Sequence, residues 1–219
     1  MVPLTDNMEA ILIPGSIDRT DAAATPCSTR ESTVLAALRA ATRERHRLVD
    51  QSMPLSNADA TLGDYIDHLQ LMRAWLQPLE RWLGSRAIRE TALIDADLAD
   101  AGAPPPRNEA EMGRFAWPSN VNDAYRWGVR YVIEGSRLGA AVLHLRLKDR
   151  LAPNKLRYLQ GGDEGSAEHW PTFLRSLRAV VFTPADIADA CQGARAGFDA
   201  LLALSGGRKA QPRSQGENS

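Results

Sequence analysis

Cysteine is scarce in this chain of 219 residues: there are two, Cys27 and Cys191. They form no CxxC pair, no zinc-ligand spacing and no CxxCH attachment site, which argues against a disulfide scaffold and a structural zinc. A reducing cytoplasm is then the expected compartment. An excess of charge of one sign is also lacking, since 26 Lys and Arg face 27 Asp and Glu, a formal net charge of -1. Without a basic field to hold a phosphate backbone, no nucleic-acid partner is expected. No apolar run approaches the roughly 18 residues that suggest a membrane span, so no membrane partner is expected either. The short apolar patch from Ala10 to Pro14 has neither a preceding basic residue nor a cleavage site, and does not read as a signal peptide. Short alternating β-branched runs bounded by turns, the mark of strands, are missing as well.

What is present is a helical pattern in a chain that is 44% hydrophobic and 24% charged, the composition of a folded globule. The expected fold is all-α, a single-domain bundle of about seven helices over residues 31–204. Residues 1–30 read as a mobile arm and 205–219 as a disordered tail, because both are polar and aperiodic. The spacing predicts helices over about 33–50, 62–83, 86–98, 122–151, 154–159, 167–181 and 183–204. Thr61 with Asp64 three residues on has the form of a capping box. Pro78 lies inside the second helix and should kink it, and Thr183-Pro184 should start the last. A Pro-rich loop separates the third and fourth helices at about 101–120.

The first helix carries a histidine on its apolar face. With Leu35 at zero and about 100° per residue, Leu38, Thr42 and Val49 fall near 300°, 340° and 320°, and His46 near 20°. His46 therefore lies within the core-facing stripe, flanked by Arg39 and Asp50. A core histidine with a hydrogen-bond partner and a histidine that ligates or catalyses both fit this position.

The fourth helix carries two glycines on one face, in the run Tyr131-Val-Ile-Glu-Gly135-Ser136-Arg-Leu-Gly139. Each costs about 1 kcal/mol relative to alanine in a helix interior. Either a neighbouring helix or a ligand laid on the backbone would use that bare face. His144, nine residues past Gly135, falls on the opposite face and reads as an ordinary polar residue. His68 reads as a packing residue at the edge of the second helix's apolar stripe.

Taken together, the stretches Leu38-Arg-Ala-Ala-Thr42-Arg-Glu-Arg-His46-Arg-Leu-Val-Asp50 and Tyr131 to Ala141 resemble the heme oxygenase family, in particular the biliverdin-producing bacterial enzymes associated with bacteriophytochromes. Tyr158-Leu-Gln-Gly161-Gly162 with Trp170 to Leu174, and Thr183-Pro184 to Leu201, are similar to later parts of that family. The likeness spans about residues 32–204 in order, with 86–129 matching poorly. It implies that His46 is the axial ligand of heme b, which is both substrate and cofactor and brings its own iron. It implies that Gly135, Ser136 and Gly139 form the catalytic distal wall, and that Thr42 and Tyr131 sit against the heme. Arg39, and Arg175 and Arg178 on a later helix, would hold the propionates. The implied products are biliverdin, carbon monoxide and ferrous iron. No flavin, nicotinamide or iron–sulfur motif is present, so electrons would come from an external donor of ferredoxin or flavodoxin type, or from ascorbate in vitro. A bacteriophytochrome would receive the biliverdin.

Two other readings share the helical fold. A heme carrier or sensor would have the same cavity without turnover. A di-iron carboxylate or vitamin-processing bundle would need Glu-x-x-His on facing helices; the nearest approach here is Glu44-x-His46.

Overall fold

The computed structural model describes residues 26–83, 85–103, 115–161 and 166–206. Among these, the regular structure is entirely helical, and the expected architecture holds. Helices α1 (Pro26–Ser52), α2 (Leu62–Leu76), α4 (Ser85–Asp100), α5 (Asp123–Leu147), α7 (Ser166–Val180) and α8 (Pro184–Gly206) are long, while α3 (Glu80–Leu83) and α6 (Arg157–Gln160) are single turns. No described helix is long and apolar enough to cross a membrane.

The local signals act where the chemistry says they should. Thr61 accepts from the Asp64 amide while the Asp64 carboxylate accepts from the Thr61 amide at 2.8 Å, so the first turn of α2 is closed reciprocally. Pro78 cannot donate into an α-helical ladder. Accordingly α2 stops at Leu76, a 3-10 turn covers Gln77–Leu79, and α3 resumes at Glu80. Thr183 and Asp186 build a second reciprocal cap on α8, with amide-to-side-chain distances of 3.1 Å in both directions. Gly161 ends α6 with φ 85°, a left-handed conformation in which a side chain would be strained.

Two expected boundaries move. α1 begins at Pro26, so residues 26–30 are helical rather than part of an arm, as proline suits a first turn. α8 runs to Gly206, which brings residues 205–206 out of the expected tail. The remainder of the expected arm and tail lies outside the described residues, as do 104–114 of the Pro-rich loop.

The centre of the molecule is α8, which packs against α5 on one side and α1 on the other, with α2 also against it. The α5–α8 contact is made by glycines. A Cβ on Gly128 would collide with the backbone carbonyl of Ala190, and one on Gly193 with that of Tyr125. Gly197, one turn further along α8, seats Val132 and also presents its carbonyl to Trp75 Nε1 at 3.1 Å. α6 sits against α4 and α5, and α7 packs against α5.

Candidate active site

With α8 behind them, α1 and α5 form two walls of a cavity of about 440 Å³, within the usual range for a small-molecule site. The wall from α1 carries Arg39, Thr42, Arg43, His46 and Asp50, and that from α5 carries Tyr131, Gly135, Ser136, Gly139 and Arg146. The other sides are supplied by α2, α6, α8 and the turn after α1, through His68 and Met72, Tyr158, Phe198, and Leu55 respectively.

His46 is held rather than loose. Its Nδ1 lies 2.9 Å from Asp50 Oδ2, one helical turn on. With Nδ1–H donating to that carboxylate, Nε2 is the ring's basic nitrogen, as in metal-binding histidines oriented by a carboxylate. Phe198 of α8 packs against the ring at a centroid distance of 5.7 Å. At the same level Arg45 forks onto Asp199, with Nε to Oδ1 at 2.7 Å and Nη2 to Oδ2 at 3.2 Å. This fork fixes α1 against α8 beside the imidazole.

On the opposite wall, Gly135 and Gly139 line the cavity instead of the α5–α8 crossing. The helix-packing alternative is thus taken by a different glycine of the same helix, Gly128. Ser136 donates its hydroxyl proton to the Ile133 carbonyl at 2.7 Å. Its oxygen keeps acceptor capacity on the cavity side. Thr42 likewise spends its proton on Leu38 within α1, at 2.8 Å. Burial pushes the Tyr131 hydroxyl above its ordinary pKa, opposed by the charge and hydrogen bond of Arg39. Arg39 therefore reaches across from α1 to α5 at one end of the cavity. Burial first, then the Glu90 charge, push the Tyr158 hydroxyl well up, so it stays protonated as a neutral donor.

Among the described residues no three of His, Cys, Asp and Glu gather into a group that could hold a metal ion. The donor set of a di-iron bundle is therefore not assembled there. What the cavity brings together is one imidazole, a bare stretch of helix backbone and three arginines, Arg39, Arg43 and Arg146.

Comparison with known proteins decides the family. A heme oxygenase of Xanthomonas campestris pv. campestris (strain 8004) is 32% identical over 145 residues, which cover 60% of this chain and 79% of the relative. The chain belongs to the heme oxygenase family. It is an enzyme of that family. Its fold is also that of the heme oxygenase from Neisseria meningitidis solved in NO- and CO-bound forms, at a TM-score of 0.63 and 24% identity over 84% of this chain and 98% of that one. No family model matches the sequence.

Seven of the nine residues that the heme oxygenase resemblance points to line this one cavity: Arg39, Thr42, His46, Tyr131, Gly135, Ser136 and Gly139. Arg175 and Arg178 do not. They sit on α7, which packs against α5, and Arg175 is exposed with its guanidinium on Thr172 of its own helix at 3.1 Å. The cavity's other arginines are Arg43 and Arg146. Both had a signal in the sequence. Arg43 lies one turn past Arg39, and Arg146 lies seven residues past Gly139, about 20° from it around the helix. His68 and Tyr158 line the cavity too, with ring centroids 6.2 Å apart. His68 is more than a packing residue of α2 in that respect. His144 is not among the cavity-lining residues.

Proposed function

We propose that this chain cleaves heme b to biliverdin, carbon monoxide and ferrous iron, using oxygen and electrons from an external donor. The observation that carries the reading is the His46–Asp50 pair on one wall facing the Gly135–Gly139 wall across one cavity. When bound, heme supplies both the iron at which oxygen is activated and the porphyrin that is cut.

The chain's own residues do the rest. His46 would hold the iron through Nε2, with Asp50 fixing its tautomer and ring orientation. Gly135 and Gly139 let a ring lie against the helix backbone where any side chain would hold it off. Ser136 offers lone pairs to an ordered water, because its proton is already donated to Ile133. Such a water can carry a proton without placing an acidic side chain beside the iron. Arg39 holds a propionate by a charge-assisted contact, while Thr42 and Tyr131 pack against the ring. The electron donor is a ferredoxin- or flavodoxin-type system, and ascorbate replaces it in vitro. The reaction takes place in the cytoplasm, and a bacteriophytochrome takes up the biliverdin.

Titration of the purified chain with hemin tests this. The expected result is a stoichiometric Soret band that shifts in His46→Ala, then bleaches under ascorbate and oxygen to a biliverdin spectrum. Stable binding without turnover would make the chain a carrier or sensor, and absence of binding would end the reading.

A further inference from the structure

Three consecutive residues of α8 reach three different partners. Gly197 seats Val132 of α5 and accepts from Trp75 Nε1 of α2, Phe198 packs on the His46 ring, and Asp199 takes the fork of Arg45. Arg45 and His46 are neighbours on α1, as Phe198 and Asp199 are on α8. The imidazole and the ion pair therefore share one level of the α1–α8 seam. About two turns further on, the Ser52 and Ser205 hydroxyls meet at 3.2 Å, a second tie across the same seam.

These contacts divide the work of aiming the imidazole. Asp50 lies on α1 itself, one turn from His46, so it fixes the ring within that helix and turns with it. It does nothing against rotation of α1 about its own axis. A ring at the rim of a helix stands roughly 6 Å from the axis, so a turn of about 10° carries it about 1 Å sideways, enough to spoil a binding geometry. Arg45 projects about 100° around α1 from His46. A two-bond tether from there to another helix opposes that rotation, whereas the Glu44–Arg47 pair joins α1 only to itself. The Arg45 and Asp199 side chains are 33% and 42% exposed, and pairs so exposed add little to stability. The planar fork constrains direction all the same.

We propose that Arg45 and Asp199 are positioning residues for His46, setting the direction in which its Nε2 faces the cavity. The inference rests on the heme reading above. It adds to the machinery of that site two residues that do not line it.

The test compares the wild-type chain with Arg45→Met, which keeps the aliphatic stem, with Asp199→Ala, and with the double variant. Each single change should weaken hemin by about tenfold, as loss of an outer hold on a metal-bound histidine does. Each should also shift or broaden the iron–histidine stretching band of the ferrous form in resonance Raman spectra. The double variant should be no worse than either single one, since the same tether is lost in all three. Arg45→Lys, charged but without the fork, should fall between wild type and Arg45→Met. Urea midpoints of the ligand-free variants should stay close to that of the wild type. An unchanged band in both single variants would overturn the proposal, as would losses of affinity that add in the double variant. A loss of affinity matched by a lowered urea midpoint would overturn it too, since the pair would then only hold the fold. A wild-type chain that takes up no hemin, or that binds it just as His46→Ala does, overturns the heme reading instead.

Discussion

The two halves of α5 use glycine for opposite ends. Near its start, Gly128 lets α8 come so close that backbone meets backbone, and nothing is left between the helices. From Gly135 to Gly139 the same device leaves α5 bare where it borders open space. A glycine on a helix face thus says only that something comes close. Whether that something is a helix or a ligand depends on what borders the face at that level, which is the Ala190 backbone at Gly128 and the cavity at Gly135 and Gly139.

Leucine substitutions separate the halves most sharply. Gly128→Leu drives a side chain into the Ala190 carbonyl, and should cost about 3 kcal/mol or more of stability, measured by urea unfolding. Gly139→Leu should leave the ligand-free chain within about 1 kcal/mol of wild type, since helix propensity improves, yet weaken hemin by about tenfold or more. If Gly139→Leu unfolds the chain as Gly128→Leu does, the distinction between the halves fails.

On the open side, His46→Ala should abolish turnover and move the Soret maximum while the far-ultraviolet dichroism stays that of the wild type. Asp50→Ala leaves the ring but removes its hold, and should reduce hemin affinity or turnover by about 10–100-fold. An Asp50 variant with wild-type binding and turnover would mean that the carboxylate does not tune the ligand.

The smallest effect belongs to the tight side, at the cap of α8. The Thr183 hydroxyl, then backbone amides, hold Asp186 below the usual carboxylate range. A depressed folded value means the contribution is present above that range and lost as pH falls through it. Asp186→Asn should therefore show a slightly lower Tm at neutral pH, and the gap should close below about pH 4. A gap that widens in acid would contradict the sign.

Much of this architecture was legible from local chemistry. Thr61 with Asp64, Thr183 with Pro184, and Pro78 act within a few residues of themselves, so their consequences appear directly in the sequence. His46 and the glycine pair were legible because helical periodicity fixes a face. Periodicity does not say which element faces that surface. Arg175 and Arg178 were placed by order along a family pattern, and α7 packs beyond the cavity. Tyr158 reaches the cavity from a single-turn helix too short to show any period. The assignment of Gly128, Gly193 and Gly197 to the helix crossing depends on a partner more than sixty residues away along the chain.

The Gly128–Gly193 crossing has a consequence for genetics. Each glycine accommodates a main-chain carbonyl, not a side chain, and no codon change can make a carbonyl smaller. Second-site suppressors that trim a neighbour should therefore rescue Gly197 variants, where Val132 can shrink, and fail at Gly128 and Gly193, leaving reversion as the one route back.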